Sequence, residues 1–70
     1  MEINKAVGTK IRSLRLAKQL SQEKLAGLAE IDRTYMQSIE KGERNISIAI
    51  LYKIAKALGL KMSNLLENID

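Results

Sequence analysis

One sequence pattern occurs three times and strongly limits how this chain can fold. An apolar residue precedes a serine or aspartate, and a second apolar residue follows four positions after the polar one. The three sets are Leu20, Ser21 and Leu25, then Ile31, Asp32 and Met36, then Ile46, Ser47 and Leu51. At a helix start the polar side chain accepts a hydrogen bond from a free backbone N–H, and the apolar pair packs across the first turn. The pattern predicts helices that begin directly after residues 21, 32 and 47.

Apolar periodicity gives the extent of the helices and adds two more. Ile3, Val7, Ile11 and Leu14 form one stripe of a first helix that ends near Lys18, and Gly8 predicts fraying before it or a helix start near it. The second helix covers Gln22–Ala29, the third residues 33–41 up to Gly42, the fourth Ile48–Leu58 up to Gly59, and a short fifth helix follows a Ser63 cap. No segment alternates as a strand does, and proline is absent. We therefore expect an all-α fold of five helices in a single domain, residues 1–70.

The second and third helices are separated by a very short turn. Glu30 and Ile31 alone precede the Asp32 cap, and two helices joined in this way cross at a steep angle. This geometry predicts a helix-turn-helix at residues 21–41. The side chains expected to face the core share the helical spacing and are Leu25, Ala26, Ala29, Met36, Ile39, Leu51, Ile54, Ala55 and Leu58.

Composition excludes several classes of function. The chain has no cysteine and no histidine, so a zinc site with nitrogen or sulfur ligands and every thiol or imidazole mechanism are impossible. A catalytic site built from oxygen-bearing side chains alone is the alternative with little support, and we expect no enzyme, no metal, no cofactor and no small-molecule ligand. No apolar run approaches the ~18 residues of a membrane span, and residues 1–10 lack a signal-peptide core, so we expect a cytoplasmic protein with no membrane partner.

The charge points to a polyanionic partner. The chain has twelve Lys and Arg residues and eight Asp and Glu residues, which gives a formal net charge of +4. DNA, RNA and anionic membranes all fit this charge. Tyr35 and Tyr52 are the only aromatic residues, too few for a base-stacking platform, which argues against single-stranded nucleic acid.

The third helix carries the candidate residues for reading DNA bases. Arg33, Thr34, Gln37 and Ser38 project away from the core, and side chains of these types can pair with base edges in the major groove. An ordinary solvated helix face is the alternative for an isolated set of this kind. The steep turn before the helix and the positive charge favour base readout.

Two further segments carry candidates for contacts with backbone phosphates. Gln22 and Lys24 lie at the start of the second helix, where backbone N–H groups favour an anion, although an ordinary polar helix start is the alternative. Arg44, Asn45 and Ser47 follow the third helix in a polar loop whose donors suit phosphate oxygens, and a plain surface loop is the alternative. Arg15 and Glu40 lie beside apolar stripes, so a structural role for each, as partners that orient the third helix, is a further hypothesis.

Several segments in this order resemble the phage-repressor and Cro-type helix-turn-helix family, often called Xre. They are residues 11–15 (IRSLR), 20–26 (LSQEKLA), 34–45 (TYMQSIEKGERN) and 51–58, and the resemblance covers residues 5–66. Gly27 departs from the family pattern, in which a long polar residue is usual. The Arg-Asn-Ile-Ser stretch at residues 44–47 and the short chain look like the controller proteins of restriction-modification systems.

The resemblance implies a compact lambda-repressor-like fold and a transcription regulator. It implies that Arg33, Thr34, Gln37 and Ser38 contact bases, that Gln22, Arg44, Asn45 and Ser47 contact phosphates, and that Arg15 pairs with Glu40. It also implies a homodimer, built from the last two helices, on a double-stranded DNA operator with an inverted repeat. RNA polymerase is a candidate further partner at such an operator.

Dimerisation also has a physical argument of its own. The C-terminal region, residues 46–70, has more apolar side chains than one small core can absorb: Ile46, Ile48, Ile50, Leu60, Met62, Leu65, Leu66 and Ile69. A shared interface would cover the surplus, and two copies would read two half-sites. The alternative function is an antitoxin-type module whose C-terminal apolar surface binds a partner protein.

Overall fold

The computed structural model describes residues 2–69, and this part of the chain contains five helices and no strand. The helices are α1 (Ile3–Ala17), α2 (Gln22–Ala29), α3 (Arg33–Glu40), α4 (Ile48–Leu58) and α5 (Met62–Leu65). The all-α prediction is confirmed, although Met1 and Asp70, the two ends of the expected domain, lie outside the described residues. None of the described helices is long and apolar enough to cross a membrane.

The three predicted N-caps are all present. The Ser21 hydroxyl accepts from Lys24 N at 3.0 Å, the Asp32 carboxylate from Thr34 N at 2.8 Å, and the Ser47 hydroxyl from Ile50 N at 3.1 Å. The fourth predicted cap is wrong, because Ser63 is the second residue of α5 and Lys61 occupies the N-cap position. The Lys61 N–H donates to Asn64 Oδ1 at 2.9 Å, so a side chain three residues later satisfies the free donor.

The first four helices end in the same way. A residue with positive φ follows each helix, and the next N–H donates to the carbonyl five positions earlier at 2.9 to 3.1 Å, which is the Schellman motif. The positive-φ residues are Gln19, Glu30, Gly42 and Gly59. The two glycines were expected in this role, whereas Gln19 and Glu30 carry no sequence signal for it.

The core contains the side chains that the helical spacing assigned to it. All nine predicted core residues are buried, together with Val7, Ile11 and Leu65. Leu14 is only half-buried and Ile3 is 49% exposed, so the first stripe contributes less to the core than expected.

Gly8 brings α1 unusually close to the end of α3. The helix runs through Gly8 without a break, so the predicted fraying or start at this residue is wrong. A Cβ atom on Gly8 would overlap the Ile39 carbonyl oxygen and lie 3.0 Å from the Glu40 carbonyl oxygen. The glycine therefore serves the packing of two backbones, at the cost of a lower helix propensity.

A buried ion pair links the same two helices. Arg15 Nε donates to Glu40 Oε2 at 2.7 Å and Arg15 Nη2 donates to Oε1 at 3.0 Å, a bidentate arrangement. The two residues are only 6% and 9% exposed. Arg15 Nη1 also donates to the Leu20 carbonyl at 2.7 Å, so the guanidinium contacts the α1–α2 turn as well.

Two glycine-to-alanine substitutions should have opposite effects on stability. Gly8→Ala should lower the free energy of unfolding by about 1–3 kcal/mol, because the added methyl forces α1 away from α3. Gly27→Ala is the matched control, since nothing lies within 4 Å of a Cβ there, and it should raise stability by about 0.5–1 kcal/mol. Urea denaturation at equal protein concentration measures both. A stabilised Gly8→Ala variant would contradict the close approach of α1 and α3.

Removal of one partner of the ion pair should destabilise the protein more than replacement of both partners by apolar residues. Arg15→Met should lower the free energy of unfolding by about 3–5 kcal/mol, because the Glu40 carboxylate is then buried without its cation. The double variant Arg15→Met/Glu40→Leu should recover a large part of this loss, since no charge remains buried. The same urea titrations compare the variants, and a double variant less stable than Arg15→Met would be the opposite of the expected result.

Candidate nucleic-acid interface

Helix α3 presents its polar face to solvent and its apolar face to the core. Met36 and Ile39 are fully buried and hold the helix on the protein. On the opposite side Arg33 and Thr34 are exposed. Gln37 and Ser38 are half-buried, and the Ser38 hydroxyl donates to the Thr34 carbonyl at 3.2 Å. The structure thus brings the four expected base-contact residues onto one face of α3.

The turn before α3 has the expected length. Glu30 adopts φ 60° and ψ 43°, Ile31 is half-buried against the core, and Asp32 caps α3. The left-handed conformation of Glu30 ends α2 and turns the chain into α3 within a few residues, as a helix-turn-helix requires.

Gln22 connects the start of α2 to the buried ion pair. Its Nε2 donates to Glu40 Oε1 at 3.0 Å, a contact across 18 positions that the sequence did not indicate. The amide nitrogen carries two hydrogens, so one N–H remains for a phosphate oxygen. Gln22 is therefore available as the expected phosphate contact and is also held in place by Glu40. Lys24, two residues after Gln22 in α2, is exposed.

The loop after α3 is exposed and rich in donors. Arg44, Asn45 and Ser47 are all exposed. The Arg44 guanidinium lies over the Tyr35 ring, 5.3 Å from its centroid, which is a cation–π contact between the loop and α3. Residues nine positions apart on a helix and a loop give no sequence signal for such a contact, and it was not foreseen.

The residues expected at the dimer interface fall into three groups. Ile48 is 77% exposed and Leu66 is 43% exposed. Four others are half-buried and pack against the core: Ile46, Ile50, Met62 and Ile69. The assignment of Leu65 to the interface is wrong, because its side chain is 0% exposed and belongs to the core of the protomer itself. Three exposed apolar side chains outside α4 and α5 were not assigned to any surface: Ile3, Leu16 and Leu28.

Comparison with known proteins agrees with this geometry. The helix-turn-helix family model matches residues 11–65. Control protein C.BamHI from Bacillus amyloliquefaciens is 48% identical over 61 residues, a match that covers 86% of this chain and 75% of that protein.

Two solved structures have the same fold. The restriction-modification controller protein C.AhdI from Aeromonas hydrophila has a TM-score of 0.87 and 42% identity, with 89% of this chain and 94% of that chain covered. The controller protein C.Esp1396I, solved as a tetramer with its natural 35 base-pair operator, has a TM-score of 0.86 and 35% identity, with 93% and 86% covered. The chain therefore belongs to the phage-repressor and Cro-type helix-turn-helix family, together with these control proteins of restriction-modification systems.

Proposed function

We propose that this protein is a transcription regulator that binds an inverted-repeat operator in double-stranded DNA as a homodimer and controls the genes of a restriction-modification system. The observation that carries the proposal is the outward polar face of α3 on a helix whose other face is fully buried. Such a helix fits the major groove of B-DNA without any rearrangement of the protomer. The protein acts in the cytoplasm, where the operator is.

Base readout in this proposal comes from the side chains of α3. The Arg33 guanidinium is exposed, charged and free to form a bidentate contact with guanine, and Gln37 offers the donor and acceptor pair that matches adenine. Thr34 contributes a methyl group for contact with thymine. Ser38 contributes its hydroxyl oxygen as an acceptor, since its proton is donated to Thr34.

Phosphate contacts on both sides of α3 would fix the orientation of the helix in the groove. Gln22 and Lys24 contact one stretch of backbone, and Arg44, Asn45 and Ser47 contact another. These contacts carry no sequence information, but they supply most of the salt-dependent affinity.

Two protomers are needed because one α3 is short. Its eight residues span about 12 Å, enough for only a few base pairs. Two copies about 34 Å apart would read successive major grooves on one side of the duplex. Two exposed apolar side chains, Ile48 in α4 and Leu66 directly after α5, support an interface formed by the C-terminal region, residues 46–70. C.Esp1396I occupies its operator as a tetramer, which fits assembly from such dimers.

The position of the operator relative to a promoter would decide between repression and activation. Where the bound dimer activates transcription, RNA polymerase is its partner.

Selection of duplexes from a randomised pool with the purified protein would test the proposal, and the expected product is a site with two-fold symmetry. Recovery of no preferred duplex would contradict it.

Substitution of two arginines should separate base readout from phosphate contact. Arg33→Ala should cost about 1–3 kcal/mol on the selected site and relax the preference at one base pair, because it removes a base contact. Arg44→Ala is the matched control with the same change of charge. It should weaken binding to all duplexes alike and lower the slope of log K against log salt by about one per half-site. Equal losses from Arg33→Ala on every duplex would remove Arg33 from base readout.

Charges in place of the exposed aliphatic side chains of the C-terminal region should dissociate the dimer. Ile48→Asp/Leu66→Asp should give folded monomers with much lower operator affinity, because both side chains are exposed in the protomer. The control is Leu16→Asp/Leu28→Asp, which adds the same charge at positions 52% and 50% exposed on α1 and α2. Sedimentation equilibrium measures the oligomeric state. Dimers that persist in the first variant, or dissociate equally in the control, would place the interface elsewhere.

A further inference from the structure

The first turn of α1 contacts the loop that follows α3. Asn4 Nδ2 donates to Asn45 Oδ1 at 2.7 Å, across 41 positions of the chain. Gly42 lies directly against Lys5, so that a Cβ on Gly42 would be 2.7 Å from Lys5 Cα and 3.0 Å from Lys5 N. The position of the loop therefore depends on α1 as well as on the end of α3. Neither Asn4 nor Lys5 was among the residues expected to act on DNA.

We propose that Asn4 and Lys5 complete the phosphate site of loop 42–47, Asn4 by orienting the Asn45 amide and Lys5 by a direct contact with a backbone phosphate. The inference rests on the proposed function, because it concerns the same DNA backbone. It assigns Asn4 as a positioning residue and Lys5 as an additional cation.

The chemistry of the amide group explains the role of Asn4. A side-chain amide has an acceptor oxygen and a donor nitrogen, whereas phosphate oxygens only accept hydrogen bonds. Asn4 occupies the oxygen of Asn45, which leaves the Nδ2 group of Asn45 as the free end of the amide. Without Asn4, the exposed Asn45 amide rotates between both orientations in the free protein, so binding must also order it with its nitrogen toward the phosphate. The hydrogen bond thus selects the orientation that donates.

The backbone packing explains the role of Lys5. Lys5 is exposed, and its main chain packs against Gly42. Gly42 in turn precedes Arg44 by two residues. A lysine at this point adds a flexible cation next to a loop that itself carries one cation, Arg44, and one carboxylate, Glu43. Such a cation strengthens the electrostatic attraction of the protein to the phosphate backbone of the duplex.

A double-mutant cycle tests the role of Asn4. Asn4→Ala and Asn45→Ala should each weaken binding about threefold to tenfold per half-site, on the selected site and on unrelated duplex alike. The variant with both substitutions should bind no more weakly than Asn45→Ala, because Asn4 acts through Asn45. Losses that add, or an Asn4→Ala variant that binds as well as the wild type, would overturn the positioning role.

A pair of lysine variants tests the direct contact. Lys5→Gln should lower the slope of log K against log salt by about one per half-site. Lys53→Gln removes the same charge from the exposed face of α4, where Lys53 lines a groove with Leu28 and Ala57, and should leave the slope unchanged. Equal slopes in Lys5→Gln and the wild type, or equal decreases in both variants, would overturn the contact.

Two controls keep these results separate from folding and from the proposed function. Asn4 and Asn45 also line a groove with Ile46 and Leu66, so sedimentation and urea denaturation should show Asn4→Ala as dimeric and as stable as the wild type. A loss of affinity that comes entirely from dissociation would overturn the inference. If the wild-type protein binds no duplex, the proposed function itself is refuted. If the wild type binds and the Asn4→Ala and Lys5→Gln variants bind as tightly as the wild type, only this inference is refuted.

Discussion

The buried contact between Arg15 and Glu40 ties the C-terminal end of α3 to the rest of the protein. Glu40 is the last residue of α3, and its carboxylate accepts from Arg15 of α1 and from Gln22 of α2. Apolar side chains such as Met36 and Ile39 hold α3 on the core but tolerate small rotations and shifts. A bidentate ion pair has a fixed geometry, so it selects one orientation, and this selectivity is a better account of the pair than net stability.

The close approach of two backbones acts at the same end of α3 as the ion pair. Gly8 allows the carbonyls of Ile39 and Glu40 to lie against α1, and Gly42 allows the next turn of chain to lie against Lys5. The C-terminal end of α3 is therefore held by main-chain packing and by charge together. The N-terminal end depends on the Asp32 cap and on the short turn from α2. Both ends of α3 are therefore tied to the rest of the protein, and its outward face lies between them.

The fold was largely predictable, because helix caps and apolar periodicity are local features of the sequence. Much of the site was not predictable, because its contacts join residues that are far apart in the sequence. Caps at Ser21, Asp32 and Ser47 and the apolar periodicity gave the helices and nine core residues. The sequence placed the polar residues of α3 on one face for the same reason. It could not pair Gln22 with Glu40 or Asn4 with Asn45, because hydrogen bonds across 18 and 41 positions leave no periodic trace.

The wrong assignment of Leu65 has a simple physical origin. An apolar stripe shows that a side chain is removed from water, but not whether it enters the core of its own protomer or a shared interface. Leu65 and its neighbour Leu66 were assigned to the same surface, yet one is fully buried and the other is 43% exposed. The same ambiguity does not affect α3. Arg33 and Thr34 are exposed, so under the proposed function changes at these two positions would alter the operator that is read while the ion pair and the core remain intact.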